Sequence, residues 1–180
     1  LPRKFKTGFA LPPNNDIDVF TNDMGYVAIV EGGKLVGYNL LVGGGLGTSH
    51  GNKATYPRLA DVIGFLTREQ VVAVGEAVIK IHRDWGDRTD RKHARIKYVL
   101  QEKGVEWFKG ELAKHLGAPL PAAKPFLFVG QGDAFGWTKQ SDGKWFLGLF
   151  IETGRVKDAG DYKLKTALRT LAEKYSPTFR

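Results

Sequence analysis

Tyr26-Val27-Ala28-Ile29-Val30, Glu31-Gly32-Gly33-Lys34 and Leu35-Val36-Gly37-Tyr38-Asn39-Leu40-Leu41-Val42 form one continuous stretch, residues 26–42, and its reading decides the fold. The outer runs are apolar and rich in β-formers. The four residues between them supply the turn chemistry of an antiparallel hairpin. Directly after the second run comes Gly43-Gly44-Gly45-Leu46-Gly47. Upstream, Pro12-Pro13-Asn14-Asn15-Asp16 reads as a loop, and the N-terminal third as strands and tight turns.

Beyond the hairpin the periodicity changes from two to 3.6. Thr67-Arg68-Glu69-Gln70 is a capping-box pattern, and Val71, Val74, Val78 and Ile81 recur behind it at helical spacing. A second helix is expected from Asp90 to Lys103, stopping at Gly104. A third is expected from Val105 to Leu116, stopping at Gly117. Pro119, Pro121 and Pro125 mark a linker, because proline cannot continue a helix. After it Phe126 to Val129, Phe135 to Lys139 and Trp145 to Ile151 read as strands. Ser141-Asp142-Gly143-Lys144 reads as a turn, and a last helix carries Leu164, Ala167, Leu168 and Leu171.

The 180 residues are 42% hydrophobic and 26% charged, ordinary for a packed globular chain. No apolar run is long enough to span a bilayer, and no basic-then-apolar leader is visible. The opening Leu1-Pro2-Arg3-Lys4 and the closing Ser176-Pro177-Thr178 read as the interior of a longer polypeptide. The sequence contains no cysteine. Disulfides, thiolate zinc sites and cysteine-held clusters are therefore excluded within it. The formal charge of +8 draws anions, whether nucleic acid, an acidic cofactor or an acidic protein.

Three constellations could serve such an anion. In Arg3-Lys4-Phe5-Lys6, strand geometry would put Lys4 and Lys6 on one face. Two ammonium groups there suit a small oxyanion that must accept protons, and equally a solvated edge strand. The glycine run could form a nest of backbone donors, or simply a turn. Arg88, Arg91, Lys92 and Arg95 would form one helical stripe. A polycarboxylate would relieve their repulsion, as would plain solvation. His50, His82, His93 and His115 show no zinc spacing. His50 stands apart because it follows the glycine run.

Several ordered motifs then coincide. Leu1-Pro2-Arg3-Lys4-Phe5-Lys6, Asn15-Asp16-Ile17-Asp18, Asn22-Asp23, Leu40 to Leu46, His50-Gly51-Asn52-Lys53, Arg83 to Lys92, Gly132-Asp133 and Leu149 to Arg155 cover essentially the whole chain. In this the chain resembles the sulfite reductase hemoproteins of the siroheme nitrite/sulfite reductase family. The resemblance implies a cytoplasmic α+β enzyme of sulfur assimilation and cysteine biosynthesis. Such an enzyme reduces sulfite to sulfide with six electrons, at a siroheme bridged to a [4Fe–4S] cluster. It implies a siroheme-binding domain of mixed sheet and helices over residues 1–123, and the start of a ferredoxin-like half repeat over 124–180. Lys4 and Lys6 would hold sulfite and help deliver protons. Arg3, Asn15, Gly43, Gly44, Gly45, His50, Asn52, Arg91 and Arg95 would contact siroheme, whose eight carboxylates match the basic stripe. The partner would be a flavoprotein subunit passing on electrons from NADPH through FAD and FMN.

The chain departs from that family in lacking the paired cysteines that ligate the cluster and the siroheme iron. On this reading it is inactive alone. Two rivals stand beside it. One is a siroheme nitrite reductase, against which Lys6 speaks, since asparagine usually stands there in those enzymes. The other is a non-enzymatic basic module for anions or nucleic acid, against which the lack of aromatic-basic interleaving speaks.

Overall fold

The computed structural model describes residues 4–178. In chain order the strands and helices are β1 (Thr7–Ala10), β2 (Asn14–Asn15), β3 (Met24–Glu31), β4 (Lys34–Val42), β5 (Asp61–Leu66), α1 (Val71–Trp85), α2 (Ile96–Lys103), α3 (Val105–Leu116), β6 (Gly130–Gln131), β7 (Gly136–Lys139), β8 (Trp145–Gly148), β9 (Asp158–Ala159), β10 (Tyr162–Lys163) and α4 (Leu164–Tyr175). The expected α+β class holds. The chain divides into two compact units, the first ending at Asp133 and the second beginning at Ala134.

In the first unit the hairpin forms as its sequence dictates. Glu31 pairs with Lys34 across Gly32 and Gly33, whose φ values of 56° and 76° suit the twist of a two-residue hairpin. The sheet order is β1-β3-β4-β5, with β1 parallel to β3 and the other pairs antiparallel. Period-two alternation then gives the sheet two apolar faces. Met24, Tyr26, Leu40, Val42 and Ile63 meet Val74, Val78, Ile81, Ile96, Leu100, Phe108 and Leu112 of the three helices. On the other face Val27 and Leu41 pack with Ala10, Val19 and Ala60, and Phe126 and Phe128 close over them.

Helices α1 and α3 lie where their periodicity put them. Of the capping box one half forms, the Gln70 side chain accepting the Thr67 amide at 2.9 Å. Gly117 ends α3 in the left-handed region at φ 79°. Two expectations need correction. The second helix starts at Ile96 rather than Asp90. The Asp87 carboxylate accepts the amides of Thr89 and Asp90, and Asp90 accepts that of Lys92. Such local side-chain bonds compete with helix, so Arg88 to Arg95 are no helical stripe. The stretch Phe126 to Val129 is not a strand either. Its chain is held by other means, with Asn39 bonded both ways to the Lys124 backbone and Val129 donating to the Pro13 carbonyl. Residues 124–133 thus pack with the first unit.

The second unit has the hairpin β7–β8, the short ladder β9–β10 and α4, which is joined to β9 by Thr166 bonds to the Asp158 carboxylate.

A basic cavity as candidate functional site

Three pieces of the first unit enclose a cavity of about 630 Å³: the segment before β1, the loop after β4, and the turn-rich segment leading into α2. Lys4 comes from the first; Gly47, Thr48, Ser49 and Thr55 from the second; Asp87, Arg88, Arg91, Lys92, Ala94, Arg95 and Tyr98 from the third. Five cationic side chains thus face one carboxylate. That carboxylate is occupied, since the Thr89 hydroxyl and two amides bond Asp87 and hold its carboxyl below the usual range.

The loop is shaped from within. Asn52 accepts the Ala54 amide, and the Ser49 amide donates to the Thr55 hydroxyl at 2.7 Å. It is anchored by Lys97, whose side chain is fully buried. Lys97 Nζ donates to the carbonyls of Gly45, Gly47 and Tyr56 and lies 5.0 Å from the centre of the Tyr98 ring. Burial, then the nearby Arg95 charge, pushes the Lys97 ammonium below its ordinary value.

The glycine run backs Arg95. Its three amides are engaged, Gly43 with the Asp23 carbonyl, Gly44 with that of Asn22, and Gly45 with that of Arg58. The expected nest of donors is therefore absent from Gly43 to Gly45. What the glycines provide is room. A Cβ on Gly45 would lie 2.6 Å from Arg95 Nη1, and one on Gly44 would collide with the Phe20 carbonyl. Arg95 bonds the buried Asp23 through Nε at 2.9 Å and Nη2 at 2.7 Å. The same Asp23 oxygen that meets Nη2 accepts the Lys6 amide at 2.9 Å.

Of the residues singled out from sequence, the structure gathers Lys4, Arg88, Arg91, Lys92 and Arg95 on the cavity. Lys6 is exposed and joins the sheet just before β1, its carbonyl accepting the Met24 amide. Lys6, Asn15, Gly43, Gly44, Gly45, His50 and Asn52 are not part of the cavity wall. Asn15 instead accepts the Val19 amide at 2.8 Å. Arg3 lies outside the described residues. Sequence reasoning quoted Asp23 within a motif of the resemblance without giving it a role, and missed Lys97. A lysine inside the apolar run Ile96 to Leu100 was the available signal for the latter. Among the described residues no cluster of three or more His, Cys, Asp or Glu could hold a metal ion, and no helix is long and apolar enough to cross a membrane.

Comparison with known proteins then gives one answer. Residues 1–120 match the model for the nitrite and sulphite reductase 4Fe-4S domain. Proteins named sulfite reductase [NADPH] hemoprotein beta-component match over the whole chain, at 57% identity in Myxococcus xanthus and 51% in Lysinibacillus sphaericus. The chain spans about a third (32%) of the length of each. Among solved structures, that of the Mycobacterium tuberculosis NirA protein matches 72% of this chain and 23% of its own, at 29% identity and a TM-score of 0.60.

Proposed function

Because the chain belongs to the nitrite and sulphite reductase 4Fe-4S domain family, we propose that it supplies an anion-binding wall of the siroheme pocket in a sulfite reductase hemoprotein, which carries out the six-electron reduction of sulfite to sulfide. The observation that carries this reading is the cavity with five cations and one engaged carboxylate. That donor set fits a macrocycle bearing many carboxylates, because arginine pairs with carboxylate bidentately. Arg88, Arg91, Lys92 and Arg95 would hold those carboxylates. When bound, siroheme would supply the iron at which sulfite is reduced, passing on electrons that reach it from outside this chain.

Reduction of sulfite to sulfide consumes protons along with electrons. Lys4, on the cavity, would bind the anion and hold a proton beside it, and Lys6 would raise the local positive potential. Asn15, His50 and Asn52 would act by shaping the chain around the pocket, Gly45 by leaving space for Arg95, and Gly43 and Gly44 by letting the loop pack closely against Leu100 and the Phe20 carbonyl. The [4Fe–4S] cluster is a different matter. With no cysteine in its sequence the chain offers no thiolate, so its residues do not fit that group. The relatives at 49–57% identity carry the sulfite reductase name, which supports sulfite over nitrite. Their designation as a beta-component supports a further component, which we take to be a flavoprotein delivering electrons from NADPH through FAD and FMN in the cytoplasm. Residues 1–123 would form the siroheme-binding domain and 124–180 the start of a ferredoxin-like half.

The test is a titration of the chain with metal-free uroporphyrin, an octacarboxylate porphyrin, followed by tryptophan fluorescence. Saturable binding that weakens in Arg91→Ala and Arg88→Ala supports the pocket. Equal binding by these variants, or tighter binding of duplex DNA than of uroporphyrin at equal salt, would sink it.

A further inference from the structure

We propose that Asp23 is a positioning residue that fixes the lysine-bearing segment and Arg95 relative to each other, giving the basic cavity one geometry for a polycarboxylate ligand; this rests on the reading of the cavity just given. Asp23 is fully buried and sits immediately before β3. Its carboxylate is shared by two stretches that are distant in sequence. Oδ2 accepts the Lys6 amide and Arg95 Nη2, at 2.9 and 2.7 Å, while Oδ1 accepts Arg95 Nε at 2.9 Å. Its backbone carbonyl accepts the Gly43 amide at 2.9 Å. One residue therefore ties the segment that carries Lys4, the glycine run behind the cavity, and the arginine on its wall.

The arrangement decides which edge of Arg95 a ligand meets. A guanidinium presents five N–H donors in a rigid fork. Asp23 takes the Nε and Nη2 edge, and the Gly44 carbonyl lies 3.3 Å from Nη2. Nη1 lies over Gly45, where the missing side chain leaves it room. Without Asp23 the guanidinium would be free to turn, and the Lys6 amide would lose its acceptor.

A bystander role and a positioning role predict opposite signs. Asp23 is an anion close to a site for anions. If it merely neutralised Arg95, removing its charge would tighten the binding of a polyanion. If it positions, removal weakens binding although the net charge becomes more positive.

The experiment compares the full chain with Asp23→Asn in uroporphyrin titrations and in amide hydrogen exchange at Lys6. We expect about tenfold weaker binding, the equilibrium worth of one charge-assisted hydrogen bond, together with faster exchange of the Lys6 amide. Equal or tighter binding, or unchanged Lys6 exchange, overturns the inference. A wild-type chain that does not bind uroporphyrin overturns the cavity reading itself. If Asp23→Asn does not fold, Asp23→Glu replaces it. That variant keeps the charge but displaces the carboxylate from the Lys6 amide and from Arg95, and it must show the same two changes.

Discussion

Two buried bases in the first unit make their charge states matter to stability. His82 is wholly inaccessible, with Nε2 against the Ala94 carbonyl at 2.8 Å and Nδ1 without a partner among the described residues. The ring therefore donates from Nε2 and is neutral. Burial first, opposed by the Ala94 bond, holds its pKa below the ordinary value of about 6.5. A base depressed in the folded state binds more protons when unfolded, so stability rises with pH across that window. The part due to His82 is present above about pH 6.5 and is lost as pH falls toward the depressed value. Thermal unfolding from pH 7.5 to 5 should show a falling Tm, with a shallower slope in His82→Gln. An identical slope would assign the effect to other groups. Lys97 is the harder case. Replacing it with Met removes the donor from three carbonyls at once. At about 1 kcal/mol or more for each acceptor left dry, destabilisation of about 3 kcal/mol is expected. Urea unfolding measures this, and amide exchange should quicken across residues 46–56 in particular.

Among the elements, the glycine run permits a matched comparison of packing with open space. A Cβ on Gly44 would strike the Phe20 carbonyl and lie 2.7 Å from that of Asn22, backbone atoms that cannot swing away, whereas at Gly47 it meets nothing within 4 Å. Gly44→Ala should cost about 2 kcal/mol or more, and Gly47→Ala should stay within about 0.5 kcal/mol. Equal effects in urea unfolding would contradict the close approach. Elements written in local chemistry were legible in the sequence. The hairpin at Gly32-Gly33 and helix α3 between Gly104 and Gly117 need only neighbours in the chain to be specified. The helical start expected at Asp90 fails because the Asp87 and Asp90 side chains bond the backbone there. Phe126 to Val129 has strand composition, but Val129 donates to Pro13, more than a hundred residues away, and no local pattern announces such a partner. The cavity was half legible for the same reason. Basic residues announce themselves, while the Asp23 carboxylate that aligns Arg95 across 72 positions does not.

At the scale of the whole molecule the two units differ in what can hold them folded. The first has a sheet covered on both faces. In the second, none of the described residues from 134 to 178 is buried. Trp137 is 68% exposed and Phe150 72%. Ordering a backbone costs about 1–2 kcal/mol per residue, and burial of apolar area is what offsets it. A lone hairpin of two four-residue strands and a 12-residue helix are each marginal in water. The second unit should therefore open locally at almost no cost, whereas β3 and β4 open only with global unfolding. Amide exchange on the dilute chain should then find Thr138, Phe146 and Leu168 within about tenfold of unprotected rates, and Tyr26, Leu40 and Leu41 slower by at least about a thousandfold. Exposed apolar surface with strand edges also invites pairing between copies. Protection in the second unit should accordingly rise with protein concentration, in step with a growing sedimentation coefficient. Strong protection of Thr138 and Phe146 that is independent of concentration would mean that the second unit is stable by itself, against the burial that the structure records.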